Sequence, residues 1–152
     1  ALAKKRGGEK GGGEGGEREN ETRVAKLFEI QDRMIALVHP IVSLWRYFVR
    51  EFSAKVHTGD EKNKVVVRRT AFLFNNCIVV CEMALSPGGK HKYVARLELG
   101  KRTKLSLSEE SVRFTIYVED ATWAFIFDSK ESLMEIHHLV QKCIADCRSI
   151  NT

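Results

Sequence analysis

The sequence predicts an α+β fold: a seven-stranded antiparallel β-sandwich or barrel capped by a C-terminal α-helix, with an N-terminal helix extension. Two observations support this prediction. Short runs rich in valine and aromatic residues, separated by turn residues, occupy about residues 48–128. A segment with helical spacing of apolar residues follows these runs, and another precedes them. The length of 152 residues suits one domain.

Turn residues separate the predicted strands. Asn75-Asn76 is typical of a tight hairpin turn, and Ser86-Pro87-Gly88-Gly89 indicates another turn. Apolar and polar residues alternate over 112–119, which is the period of a strand with one buried face. The predicted strands cover residues 48–57, 64–74, 77–82, 93–99, 103–107, 112–119 and 122–128.

A C-terminal amphipathic helix follows the last strand. Asp128 with Glu131, or Ser129 alone, can cap its first turn. One apolar stripe then runs along the helix, at Leu133, Ile136, Val140, Cys143 and Cys147. This stripe is expected to face the sheets and to close the corner that two short sheets leave open.

The N-terminal part divides in two. Residues 1–19 are glycine and charged residues for the most part, with nothing to bury, and are predicted to be disordered. A helix is predicted from Asn20 until just before Pro40. Its apolar residues are Val24, Leu27, Phe28, Met34, Ile35 and Val38. Because the C-terminal helix already closes the sheets, we expect this stripe to have lost its original partners, so that the helix either frays or packs against a substitute, such as a second copy of the chain or its own sheet. We also expect deletion of residues 1–38 to leave the rest folded.

Charge and cysteine spacing limit the function classes. The formal net charge of +5 favours anionic partners: phospholipid headgroups, nucleic acid or an acidic protein face. No apolar stretch reaches the roughly 20 residues of a spanning helix. Residues four apart on a strand, such as Cys77 and Cys81, are too distant to share one zinc ion. The cysteines are therefore predicted to be buried reduced thiols of a cytoplasmic protein, with no metal and no cofactor.

Three stretches resemble one known family. They are RTAFLFNNCIVVC at residues 69–81, NE followed by LFEIQ within residues 20–31, and FIFDSKE at residues 125–131. In this order they resemble the pleckstrin-homology (PH) domain of Dbl-family Rho guanine-nucleotide exchange factors. The sequence departs from the family at Ile136, where a tryptophan is usual, and at Met83, where a lysine is usual.

The resemblance implies an organisation and a function. Residues 1–19 form the disordered segment, residues 20–39 the terminal helix of a preceding Dbl-homology-like domain, and residues 40–152 the PH domain. The expected function is that of a regulatory module, not an enzyme, cytoplasmic and peripheral to the membrane. It supports a Dbl-homology domain in cis and binds anionic membrane lipid weakly. A Rho-family GTPase is a further candidate partner.

The resemblance also suggests lipid-binding cations. The family's first-strand lysine corresponds to Lys55 and the final arginine of its second-strand motif to Arg69, whereas Val67 replaces another expected cation. Neighbouring residues of a strand face opposite ways, so adjacent arginines cannot share one pocket. The alternative is a solvated basic rim with no ligand. The candidate lipid-binding residues are Lys55, Lys62, Lys64, Arg68 and Arg69.

Aromatic residues at the entry to the first strand form a candidate protein-interaction surface. Trp45, Tyr47 and Phe48 correspond to a region where the resemblance implies contacts between the PH domain, the catalytic domain and the GTPase. Aromatic side chains are favoured at such interfaces. The alternative is that these residues seal the base of the sheet.

Other function classes have less support. A protein-recognition module of PH-like fold, of the phosphotyrosine-binding or Ran-binding type, remains as the alternative, but it has no use for the N-terminal helix. Only Arg113 with Tyr117 approaches the mixture of cations and aromatic residues that binds nucleic acid, and no nucleic-acid partner is expected. No catalytic grouping of Ser, His and Asp, and no carboxylate pair, can be placed in a cleft.

Overall fold

The computed structural model describes residues 11–58, 65–119 and 121–150, in an α+β arrangement of one open sheet and two helices. The helices are α1 (Gly11–Asp32) and α2 (Lys130–Ile150). The strands are β1 (Met34–Ile35), β2 (Phe48–Thr58), β3 (Val67–Phe74), β4 (Cys77–Glu82), β5 (His91–Glu98), β6 (Lys104–Ser108), β7 (Arg113–Val118) and β8 (Ala121–Ile126).

The strands follow the order β1-β5-β4-β3-β2-β8-β7-β6 and do not close into a complete barrel. All of the neighbouring pairs are antiparallel except β1 with β5. The long strand β2 joins the two halves of the sheet, since it pairs with β3 over most of its length and with β8 through Lys55–Thr58. The predicted seven antiparallel strands and the closing helix are confirmed, and the short strand β1 is an addition.

The main core lies between the two halves of the sheet and α2. Phe114 stacks on Phe125 with ring centroids 5.2 Å apart, and Leu133 and Val140 of α2 are fully buried. Ile136, where the family usually has a tryptophan, is 3% exposed. The backbone amide of Ser132 donates to Ser129 Oγ at 3.2 Å, so Ser129 caps the helix.

A second core lies on the other side of β3 and β4. Leu27 and Ile30 of α1 are fully buried, together with Met34 and Ile41. They pack against the outward side chains of the hairpin: Phe72, Phe74, Cys77, Val79 and Cys81. Of the outcomes expected for the stripe of the N-terminal helix, packing against the chain's own sheet is confirmed, and fraying of this part of the helix is not observed. The reason is that β3 and β4 are apolar on both faces, so that both faces need to be covered.

The ends of α1 also differ from the prediction. The helix begins at Gly11, within the segment 1–19 that was predicted to be disordered, and residues 1–10 lie outside the described residues. Extending a formed helix costs less than starting one, which accounts for the early start. It ends at Asp32, well before Pro40, because the carbonyl of Arg33 accepts from the His91 amide at 2.7 Å and starts the pairing of β1 with β5.

Specific hydrogen bonds hold the segment between β1 and β2. Gln31 Oε1 accepts from the backbone amides of Ile41 at 2.7 Å and Val42 at 3.2 Å. Arg96 donates to the carbonyl of His39 at 2.8 Å. The direction in which α1 leaves the sheet is thus fixed by side chains of α1 and of β5.

Cys77, Cys81 and Cys143 are buried in the two cores, and Cys147 packs against the main core. Burial raises the pKa of Cys77 and that of Cys81 to about 12. Burial also raises the pKa of Cys143 to about 11. Thiolate is the nucleophile and the metal ligand, so these neutral thiols are packing residues. The part of the chain that the structure describes contains no group of three or more His, Cys, Asp or Glu placed to hold a metal ion.

Ile30→Ala is expected to lower the free energy of unfolding by about 2–5 kcal/mol, because it leaves a cavity under α1. The matched control is Phe28→Ala on the same helix. Phe28 is 50% exposed, so its loss is expected to cost about 0.5 kcal/mol or less. Urea unfolding of both variants measures the difference. Equal and small losses would show that α1 does not contribute to the stability of the sheet.

The thiols of Cys77 and Cys81 are expected to resist alkylation by iodoacetamide in the folded protein. With a pKa of about 12, each would be ionised to an extent of only about 10⁻⁴ at pH 8. Because the raised pKa stabilises the neutral form, labelling should increase as the pH rises towards 12 and should become fast in 8 M urea. Peptide mapping by mass spectrometry locates the label. Rapid labelling of both residues at pH 8 without urea would contradict the second core.

Candidate functional site

The register of β2 and β3 decides which candidate cations share a face. Lys55 lies opposite Arg68, whereas Arg69 lies opposite Ala54. Ala54 is 1% exposed and belongs to the main core, so Arg69 extends on the side of the core at the end of the sheet. Lys55 and Arg68 extend on the other side. The structure therefore brings Lys55 together with Arg68 and separates it from Arg69.

The two cations that share a face differ in their contacts. Arg68 donates to Asp128 at 3.1 Å and to Ser53 Oγ at 3.4 Å. Lys55 is exposed and forms no hydrogen bond or ion pair within the described residues. Lys62 and Lys64, the other candidate lipid-binding residues, lie outside the described residues. Lys55 is thus a free cation on this face of the sheet, and Arg68 is a paired one.

Exposed aliphatic residues gather at the same end of the sheet. β3 begins where β4 ends, since Arg69 pairs with Glu82, and the flanking segments 65–67 and 83–85 are therefore neighbours. Val65 is 71% exposed, and Leu85 is completely exposed. Val66, Val67 and Met83 are also exposed. An apolar surface beside cations fits the boundary between lipid headgroups and acyl chains.

This aliphatic surface was not predicted from the sequence. Val65 and Val66 were assigned to a strand of residues 64–74, but the structure begins that strand at Val67. The signal that could have found them is the run of three valines between lysine and arginine, because side chains alternate along a strand and three consecutive valines cannot all face the core. Leu85 lies directly before a proline-glycine turn, where an aliphatic residue has nothing to pack against.

The three aromatic candidates have different environments. Trp45 is 83% exposed, and its neighbour Leu44 is exposed to the same degree. Tyr47 packs under the guanidinium of Arg23, whose carbon lies 4.7 Å from the ring centroid. Phe48 contacts Phe74 edge to face, with ring centroids 5.9 Å apart. Tyr47 and Phe48 therefore join α1 to the sheet, and Trp45 is the residue that is free to contact a partner.

A hydrogen-bonded turn presents Trp45. The side chain of Asn75 donates to the carbonyl of Trp45 at 3.0 Å and accepts from the amide of Tyr47 at 2.7 Å. An open cavity of about 480 Å³ adjoins this turn. Its lining consists of Trp45, Tyr47, Asn75, Asn76, Leu99, Asp146, Cys147 and Ser149. The exposed indole thus stands beside a concave surface, which is the arrangement of an anchor position in protein interfaces.

Among the histidines, His137 has a shifted pKa. Burial and the neighbouring His138 lower the pKa of His137, which favours the neutral imidazole. His137 packs against Phe114 with ring centroids 6.1 Å apart. Neither described helix is long and apolar enough to span a membrane. The described residues thus provide two exposed surfaces, one formed by cationic and aliphatic side chains and the other by aromatic side chains.

Comparison with known proteins gives matches at the level of structure. No family model matches the sequence, and no curated protein matches it. Among solved structures, Vav1 bound by an allosteric inhibitor matches 85% of this chain, with a TM-score of 0.71 and 12% identity. The Dbl-homology/PH domains of PDZ-RhoGEF, in complex with activated RhoA, match 85% of it with a TM-score of 0.63 and 10% identity.

A third similar structure is an N-terminally truncated form of the linker and Dbl-homology/PH domains of p115-RhoGEF, with a TM-score of 0.62 and 9% identity over 84% of this chain. The chain spans only 34% of the Vav1 structure and 41% of each of the other two. Likeness at this identity concerns the fold. The fold resembles that of PH domains in Dbl-family Rho exchange factors, as the sequence predicts.

Proposed function

We propose that this chain is the regulatory PH module of a Rho-family guanine-nucleotide exchange factor. It supports a Dbl-homology catalytic domain in cis and contacts anionic membrane lipid weakly. The observation that carries the proposal is the double role of α1. One face of the helix is a layer of the PH fold, and beside that face Val24 and Phe28 form an apolar patch that nothing covers within the described residues.

The uncovered apolar patch of α1 suits a preceding helical domain. Phe28 is half exposed on a helix whose Leu27 and Ile30 are completely buried. Phe28 and Val24 line an open surface depression of about 420 Å³, together with Asn20, Glu21 and Ala25. A terminal helix of a helical bundle needs such a second apolar face, because it packs against its own domain as well as against the sheet.

The membrane contact is supported by the aliphatic surface and the adjoining cations. Val65–Val67, Met83 and Leu85 are exposed at the end of the sheet where Lys55 and Arg68 lie. Each basic residue near an anionic leaflet contributes about 1 kcal/mol, and the contribution falls off within a Debye length. A small number of such cations gives weak, salt-dependent and reversible binding. The proposed location is cytoplasmic and peripheral to the membrane.

Trp45 and Leu44 are the proposed contact for the catalytic domain or for a Rho-family GTPase bound to it. PDZ-RhoGEF is a similar structure that was determined with activated RhoA. In this chain the exposed indole is held beside an open cavity by Asn75. The proposed role is recognition, and we propose no enzymatic activity for the chain.

Binding to vesicles is expected to be weak and to require the aliphatic surface. Co-sedimentation with phosphatidylcholine vesicles containing 30% phosphatidylserine should show binding at 50 mM salt and its loss at 500 mM. Val65→Ser with Leu85→Ser should reduce binding severalfold, because each side chain loses roughly 1 kcal/mol or more of burial in the acyl boundary. Met134→Ser is the control, since Met134 is an exposed apolar residue on α2. Tight binding that survives 500 mM salt would contradict the proposal.

The chain alone is expected not to accelerate nucleotide release from Rho-family GTPases. The reason is that the proposed catalytic surface belongs to helices preceding α1. Release of a fluorescent GDP analogue from RhoA, Rac1 and Cdc42 measures this, with a Dbl-homology/PH fragment of an active exchange factor as the positive control. Release well above the spontaneous rate would contradict the assignment of the chain as a non-catalytic module.

A further inference from the structure

A row of cations crosses the outer face of the sheet. The Cα register places Arg113 of β7 opposite Ile126 of β8, Ile126 opposite Lys55 of β2, and Lys55 opposite Arg68 of β3. Side chains of paired residues extend on the same face of a sheet. We call Arg113, Lys55 and Arg68 the cation row.

The cation row points away from the main core. The sequence neighbours Phe114, Phe125 and Val56 are core residues, so the positions between them face outward. Strands lie about 4.8 Å apart, which puts Lys55 and Arg68 about 5 Å apart at the backbone, and Arg113 about 10 Å from Lys55. Long side chains at these spacings can reach the same phosphate or two adjacent phosphates.

The charges of the row are mostly unsatisfied. Lys55 and Arg113 form no hydrogen bond or ion pair in the part of the chain that the structure describes. Asp128 pairs with Arg68 at 3.1 Å, and its side chain is 74% exposed. The outward positions of β6, β7 and β8 contain no carboxylate: Lys104, Ser106, Ser108, Arg113, Thr115, Tyr117, Thr122, Ala124 and Ile126. A face with this excess of positive charge is complementary to an anionic partner.

We propose that the cation row is the phosphate-binding surface for anionic lipid headgroups, with Arg113 as a contact outside the cations the resemblance suggests and with Arg69 outside the site. This inference rests on the proposed membrane function and specifies its site. The occupant is a bilayer, because the cation row reaches the end of the sheet where Val65–Val67, Met83 and Leu85 are exposed, so that aliphatic side chains adjoin the cations there. A folded acidic protein would not need the aliphatic part.

Asp128 lowers the net positive charge of the cation row in the unbound protein. Its carboxylate neutralises Arg68 through an ion pair at the surface. Surface ion pairs contribute little to stability, about 0–1 kcal/mol, so that a phosphate can replace the carboxylate at small cost. Ser129, and not Asp128, caps α2, which means that Asp128 can be replaced without loss of the cap.

The test is the partition of single variants onto vesicles of phosphatidylcholine with 30% phosphatidylserine at 50 mM salt. Arg113→Gln and Lys55→Gln are each expected to weaken binding about fivefold, which is the equivalent of about 1 kcal/mol per cation. Arg69→Gln and Lys142→Gln remove the same charge elsewhere and are expected to change binding less than twofold. Asp128→Asn is expected to strengthen binding, and Arg113→Lys is expected to retain it. Thermal melts establish that each variant is folded.

The outcomes separate this inference from the proposed function. If the unmodified chain binds and Arg69→Gln weakens binding while Arg113→Gln does not, the membrane function stands and the cation row is wrong. If all four charge-removing variants weaken binding equally, the attraction is diffuse and the row is again wrong. If the unmodified chain does not bind these vesicles at low salt, the membrane function itself fails, and the inference fails with it.

Discussion

The hairpin of β3 and β4 has apolar side chains on both faces, and the rest of the fold is arranged to cover them. Leu73, Ile78 and Val80 face the main core, and Phe72 and Val79 face α1. All five are completely buried. Complete burial of one large apolar side chain contributes roughly 1.5–3 kcal/mol, which is a large share of the net free energy of unfolding of a domain. The second half of the sheet and α2 cover one face of the hairpin, and α1 covers the other.

Local pattern was enough to predict the strands, since their alternation and turns are encoded within a few residues. β4 has the predicted bounds Cys77–Glu82. The boundary of α1 was missed because Ile35 and Val38 continue the helical spacing, although both are exposed in the structure. What stops the helix is the pairing of Met34 with His91, a contact between distant parts of the chain. The continuous apolar run of residues 77–81 is typical of a strand buried on both faces, and this signal for a second covering layer was not used in the prediction.

The candidate site shows even more clearly that local sequence does not encode contacts between distant parts of the chain. The sequence identified Lys55, Arg68 and Arg69, and it also indicated that adjacent arginines face opposite ways. It could not decide which of the two shares a face with Lys55, because that depends on the register across the β2–β3 loop. Arg113 could not be associated with Lys55 at all, since the two strands are joined only through β8. Tyr47 was predicted to contact a partner, which stays a prediction; in the structure its ring packs under Arg23 of α1 in the same chain.

In the proposed function, the contacts of α1 determine how the PH fold orients the preceding domain. A helix that continued into another domain through a flexible hinge would transmit no orientation. Here Gln31 binds the amides of Ile41 and Val42, and Arg33 forms a two-point ion pair with Glu51 of β2 at 3.1 and 3.3 Å. With Leu27 and Ile30 buried against the sheet, rotation of α1 would expose apolar surface and break these hydrogen bonds together. The direction of the helix is therefore set by the sheet. Any domain that shares α1 has a defined orientation relative to the end of the sheet where Lys55 and Leu85 lie.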